Sequence, residues 1–120
     1  MALFAVASPP DEFKAWWDHQ LTAPQPALSE GAAAEEYAFI RKCVVCHAVR
    51  GTRAAGVLGP DLSHLMTRAS LAAGSLPNDT GHLSGWIADP QEVKPGAYMP
   101  RPAISGPEFA QIRGFLKRLD

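Results

Sequence analysis

The pentapeptide Cys43-Val44-Val45-Cys46-His47 constrains this chain more than any other stretch. Two cysteines with two residues between them, followed at once by histidine, form the attachment signature of a c-type haem. Each thiol adds across one vinyl group of the porphyrin, and the spacing lets both sulfurs reach the same edge. The adjoining imidazole then lies under the ring, where it can bind the iron. A redox dithiol would need a thioredoxin-like βαβ setting, which the hydrophobic pattern does not offer. A zinc site usually takes four protein ligands, and the chain has no third cysteine.

The 120 residues suit one domain with a real core. No apolar run approaches the ~18 residues of a membrane span. Met1 to Ala7 is too short for a signal peptide and lacks a basic leader. Because covalent haem is fitted outside the cytoplasmic membrane, an export device is expected upstream. Net charge is −1, unevenly spread: residues 1–36 carry one lysine against six acids, and residues 37–120 carry ten Lys or Arg against six. Arg41, Lys42, Arg50 and Arg53 flank the pentapeptide, a ring that could steer an acidic redox partner. With neither a basic stripe nor an aromatic stacking platform, nucleic acid is not an expected partner.

The pattern predicts helices separated by long loops. Leu3 to Ala7 reads as a short strand stopped by Pro9-Pro10. Asp11 is expected to cap a helix to about Gln20, with Phe13, Trp16 and Trp17 on one face. Residues 21–29, holding Pro24 and Pro26, read as a linker. The next helix should run from about Glu30 to Lys42 with Ala33, Tyr37 and Ile40 on one face. After a glycine-containing loop, Arg50 to Gly59, a short helix is predicted at Asp61–Thr67 with Leu62, Leu65 and Met66 inward. Residues 68–79 look irregular. Thr80 is expected to cap a helix to Ala88 that buries Leu83, Trp86 and Ile87, and Pro90 to Pro102 reads as an extended loop. Ser105 and Glu108 have capping-box spacing, followed by an apolar stripe of Phe109, Ile112, Leu116 and Leu119. Loops this long are plausible because the porphyrin itself supplies part of the core.

An iron held by one histidine needs a second protein ligand or an open site. Met99 lies in Lys94-Pro95-Gly96-Ala97-Tyr98-Met99-Pro100, where prolines could hold a thioether at the iron. Met66 shares a helical face with Leu62 and reads as core filler. His64 and His82 suit surface positions or places beside the haem, and His19 looks solvated. A thioether ligand raises the reduction potential. It also closes the coordination sphere, which suits electron transfer better than gas or peroxide chemistry. Gly59-Pro60 could set a carbonyl against His47 Nδ1, and Arg68 and Trp86 could donate to the haem propionates.

These pieces resemble class I cytochromes c: the pentapeptide, Gly59-Pro60-Asp61-Leu62, Arg68 eight positions after Pro60, and Pro95-Gly96-Ala97-Tyr98-Met99. The resemblance implies an all-α fold wrapped around one covalent haem c, sandwiched between His47 and Met99. It sharpens along Gly59 to Leu65, Ala72 to Asn78, Trp86 to Gln91 and Lys94 to Pro100, which look like the cytochrome c domain at the C-terminus of subunit II in caa3-type oxidases. Phe4 to Trp17 resembles the last strand and helix of that subunit's cupredoxin domain, and Met1 stands where its final copper-ligating methionine would be. The implied domains are a cupredoxin remnant over 1–20, a linker over 21–29 and a cytochrome domain over 30–120. One departure concerns the first helix of the cytochrome domain. The family usually has glycine near position 35, where Ala34 and Glu35 stand here, which bears on how Phe39 crosses Phe109 and Leu116.

On this likeness the chain is expected to pass single electrons from a quinol-oxidising complex or soluble cytochrome to the dicopper centre of the parent subunit. It would work at the periplasmic face of the membrane, among other oxidase subunits and anchored through upstream helices. As an isolated domain it is expected to be a carrier and not an enzyme. The alternative is a free-standing diffusible cytochrome c with an N-terminal extension.

Overall fold

The computed structural model describes residues 5–24 and 29–120. Met1 to Phe4, which include the expected copper-ligand position and the start of the expected strand, lie outside the described residues. So does part of the linker, residues 25–28. The described remainder of that strand, Ala5 to Ala7, forms no regular element. Helix α1 spans Pro10–Leu21. It begins without a side-chain cap, because Pro10 at its first position is already set at a helical φ. Asp11 therefore does not cap; with Glu12 it lies in the first turn, where carboxylates complement the helix dipole. Phe13, Trp16 and Trp17 cluster with ring centroids 5.7–6.3 Å apart and remain about half exposed.

Helix α2 spans Glu30–Cys43, its first turn capped by Ser29 Oγ accepting from Ala32 N–H. Ala38 and Phe39 are buried and Ile40 packs half-buried against the core, but Ala33 and Tyr37, expected on the same face as Ile40, are exposed. Tyr37 turns outward beneath the Arg41 guanidinium, while Phe39 stacks on Phe115 at 4.8 Å between centroids. That pairing joins α2 to the last helix, α5, Gly106–Leu116. The expected capping box of α5 is complete: Ser105 Oγ accepts from Glu108 N–H, and the Glu108 carboxylate accepts from Ser105 N–H. Ile112, Phe115 and Leu116, with Leu119 beyond the helix end, form the middle of the core; Phe109 is half-buried at its edge.

The stretches between these helices differ from expectation in several places. The helix predicted at Asp61–Thr67 is reduced to a 3-10 turn, Leu65–Thr67. Asp61 Oδ1 takes the backbone N–H and the hydroxyl of Ser63, which bends residues 61–63 into an Asx turn, and Leu62 N–H goes to the Ala48 carbonyl. Residues 68–79 contain a small antiparallel hairpin, β1 Ser70–Leu71 against β2 Leu76–Pro77, so the domain is mostly helical rather than purely so. Its turn runs through Ala72 and Ala73 with φ of 50° and 58°.

Helix α3 spans Thr80–Ala88 and is capped by Asp79, not Thr80, because the Asp79 carboxylate reaches His82 N–H at 2.9 Å. Leu83 and Ile87 are buried and Trp86 is half-buried. Pro90 ends α3 as expected but also opens a one-turn helix, α4, Pro90–Val93, capped by Asp89. Among the described residues no helix is long and apolar enough to cross a membrane.

Candidate functional site

The pentapeptide leaves α2 through a tight turn, Cys46 N–H and His47 N–H both donating to the Cys43 carbonyl. Both cysteines are free thiols. Burial and the nearby Cys46 push the Cys43 thiol up to about 11. A redox dithiol needs the opposite shift, because the thiolate is the attacking species. Among the described residues, no three His, Cys, Asp or Glu side chains converge as a metal cluster.

His47 is fixed from two directions. Its Nδ1 lies 2.9 Å from the Pro60 carbonyl oxygen, which can only accept, so Nδ1 carries the proton and, in the neutral ring, Nε2 keeps its lone pair. That is the tautomer a metal-binding imidazole requires. The ring also lies flat on the backbone of residue 59: a Cβ there would stand 2.6 Å from Cε1 and 2.8 Å from Nδ1. Only glycine permits so close an approach, and Gly59 N–H donates to the Cys46 carbonyl at 2.7 Å. The cysteines, His47, Gly59 and Pro60 are thus brought together, with a donor set and a glycine cradle that fit an iron porphyrin.

Met99 and Trp86 belong to the other half of the domain. Trp86 sits on α3, and Met99 is half-buried on the loop after α4. Met66 packs against the core, and its N–H donates to the Leu119 carbonyl. Arg68 donates to the Asp61 carbonyl. Burial tends to raise the Asp61 carboxyl, but hydrogen bonds from Ser63 and the charges of Arg50 and Arg68 bring it below its ordinary value.

His64 does not take the surface position that was one of its two expected places. It is 4% exposed, and its Nε2–H donates to the Thr22 carbonyl at 3.1 Å while its ring packs on His19, centroids 4.8 Å apart. Arg50 Nη1 reaches the Gln20 carbonyl at 2.6 Å, so the end of α1 is held on the haem-binding half. A cleft of about 310 Å³ remains between them, lined by Trp16, Gln20, Arg50, Asp61, His64 and Arg68 among others; neither the cysteines, His47 nor Met99 border it. His82 stays on the surface, beside Asp79. The expected basic ring is also partly spent within the fold. Lys42 pairs with Glu108 and bonds the Ala103 carbonyl, and Arg50 faces Asp61, which leaves Arg41 and Arg53 as its exposed members without an acidic partner among the described residues.

A mostly helical shell with a thiol pair and a proton-fixed imidazole at the end of α2 defines a c-type haem protein. The family model for cytochrome c matches residues 32–120, and the chain belongs to that family, as an electron-carrier domain. It is 30% identical over 116 residues to cytochrome c oxidase subunit 2 of Alkalihalophilus pseudofirmus, a match covering 95% of this chain and 33% of the relative. It is 34% identical over 95 residues to cytochrome c oxidase subunit 2 of Bacillus sp. (strain PS3), covering 76% and 26%. The chain therefore spans a third or less of the curated relatives it matches.

Proposed function

We propose that this domain carries one electron at a time on a single haem c, joined through Cys43 and Cys46 and ligated by His47 and Met99. The observation that carries this reading is His47 itself: Nδ1–H engaged by Pro60 and Nε2 left free, directly after two unpaired thiols. Bound haem supplies an iron that cycles by one electron. The chain's own residues tune and orient it. The Pro60 carbonyl makes the imidazole a stronger donor. The Met99 thioether favours the reduced state. Arg68 and Trp86 would satisfy propionates that are otherwise costly to bury.

In a parent subunit 2 the electron would arrive from a quinol-oxidising complex or a soluble cytochrome and leave for a dicopper centre, on the periplasmic face of the membrane beside the other oxidase subunits. Residues 1–20 are then a cupredoxin remnant, 21–29 a linker and 30–120 the haem domain. The relative from A. pseudofirmus matches 95% of the chain, so it also has a counterpart for α1, ahead of the family domain, which favours this origin over a free carrier with an unrelated extension.

A reduced-minus-oxidised spectrum with denatured-haem analysis tests the cofactor; pigment extracted by acidified organic solvent would refute covalent attachment. Met99→Ala tests the ligand. It should lower the potential, abolish the near-infrared sulfur-to-iron band and admit cyanide or carbon monoxide; an unchanged spectrum would move the role to another residue.

A further inference from the structure

The loop that carries Met99 is gripped by one side chain. The Gln91 carboxamide makes three bonds to its backbone: Nε2–H donates to the carbonyl oxygens of Ala97 at 2.7 Å and Met99 at 2.8 Å, and Oε1 accepts from Gly96 N–H at 3.2 Å. An amide is the side chain that can do this, since it has two donors and an acceptor on one rigid plane. Gln91 is itself well anchored. It follows Pro90, which is almost wholly buried, and lies within α4, whose first turn is closed by Asp89 Oδ1 on Glu92 N–H and by Lys94 N–H on the Pro90 carbonyl. Lys94 then ties the loop to the β-hairpin turn through the Ala72 carbonyl, and Asp89 meets Arg101 on the far side of Met99. The one-turn helix is thus a platform, and Gln91 is the arm that reaches from it to the methionine.

We propose that Gln91 is a positioning residue for the Met99 ligand: by holding the Met99 carbonyl it presets the loop, so that thioether binding costs little further ordering. This rests on the reading of Met99 as axial ligand. A preset loop keeps the fraction of protein with the thioether detached small. Any competing ligand binds only that fraction, so its apparent affinity is reduced in proportion. Gln91 would therefore govern how firmly the coordination sphere is closed in both redox states, without touching the haem.

The test uses the haem-loaded chain in its oxidised form, titrated with imidazole while the near-infrared sulfur-to-iron band is followed, at neutral pH. Gln91→Ala removes all three bonds. Gln91→Glu keeps size and the acceptor for Gly96 N–H but turns oxygen toward two carbonyls, so it separates loss of hydrogen bonding from loss of packing. Both variants should bind imidazole about tenfold more tightly, the effect of losing at least the two bonds donated by Nε2, with a weaker band in the absence of imidazole. Affinities within about twofold of the parent for both variants would overturn the proposal, since two lost bonds should exceed that. An equal rise for Arg101→Ala would also overturn it, by showing that any loosening of the loop suffices. Met99→Ala, run alongside, separates the premise: if that variant keeps the band, the axial assignment fails, whatever Gln91 does.

Discussion

Replacing Gly114 by alanine tests how α2 and α5 cross. A Cβ at this position would collide with Glu35 Oε1 and stand 2.7 Å from its Cδ, closer than atoms tolerate. The carboxylate would have to swing aside and leave Arg118, which pairs with it and also bonds the Ala32 carbonyl at 3.3 Å. The two side chains are 28% and 41% exposed, so screening limits that pair to about 0.5–1 kcal/mol. Crowding in the crossing adds about 1–2 kcal/mol. Alanine's better helix propensity returns about 1 kcal/mol. Gly114→Ala should therefore cost about 1 kcal/mol in the parent. With Glu35→Ala already present the obstruction is gone, and the same change should stabilise by up to about 1 kcal/mol. Urea midpoints of the four haem-loaded proteins, at constant m, give the cycle. Coupling near 2 kcal/mol is expected for residues in direct contact; additivity within about 0.5 kcal/mol would refute the idea that Gly114 makes room for Glu35.

Removing either thiol, by Cys43→Ala or Cys46→Ala, should greatly reduce the yield of pigmented protein, measured as haem absorbance per unit of chain. If exposed charge steers a donor, Arg53→Ala should flatten the fall of electron-transfer rate with added salt, whereas Lys42→Ala, whose charge already faces Glu108, should change it little. The Glu108 carboxylate is lowered from 4.5 to about 2, chiefly by the Ser105 N–H and hydroxyl and also by Lys42. Its folded pKa lies below its unfolded one, so this stabilisation is complete above about 4.5 and is lost as pH falls toward 2. Glu108→Gln should remove part of the drop in urea midpoint between neutral pH and pH 3, and an unchanged pH profile would contradict that role.

What could be read directly from the chain was local chemistry. The haem-attachment run and the capping box each lie within a few residues, and their spacing carries their meaning. The starts of α1 and α3 differ from expectation for local reasons too: Pro9 stands at the cap position of α1 two residues before Asp11, and Asp79 caps α3 one residue before Thr80, shifts that spacing alone resolves poorly. Other features depended on long-range contacts. The buried face of α2 was set by Phe115, more than seventy residues away. Gly114 stands opposite Glu35, so the room for a close crossing comes from the other helix, a pairing that position 35 alone does not reveal. The burial of His64 leaves no trace in the sequence, because its partner, the Thr22 carbonyl, belongs to main chain and has no signature. The three bonds of Gln91 did leave a trace, an amide a few residues before a Pro-Gly turn, but many loops contain as much.

The two clasps on the end of α1 both close on peptide oxygens, those of Gln20 and Thr22. Such a leash is blind to the side chains it holds. Positions 20 and 22 can drift freely in composition so long as the main chain keeps its path, while the information that maintains the attachment resides in Arg50 and His64. A lineage could thus rewrite the helix ahead of the leash to suit a new neighbour and still inherit the same grip on the haem-bearing half.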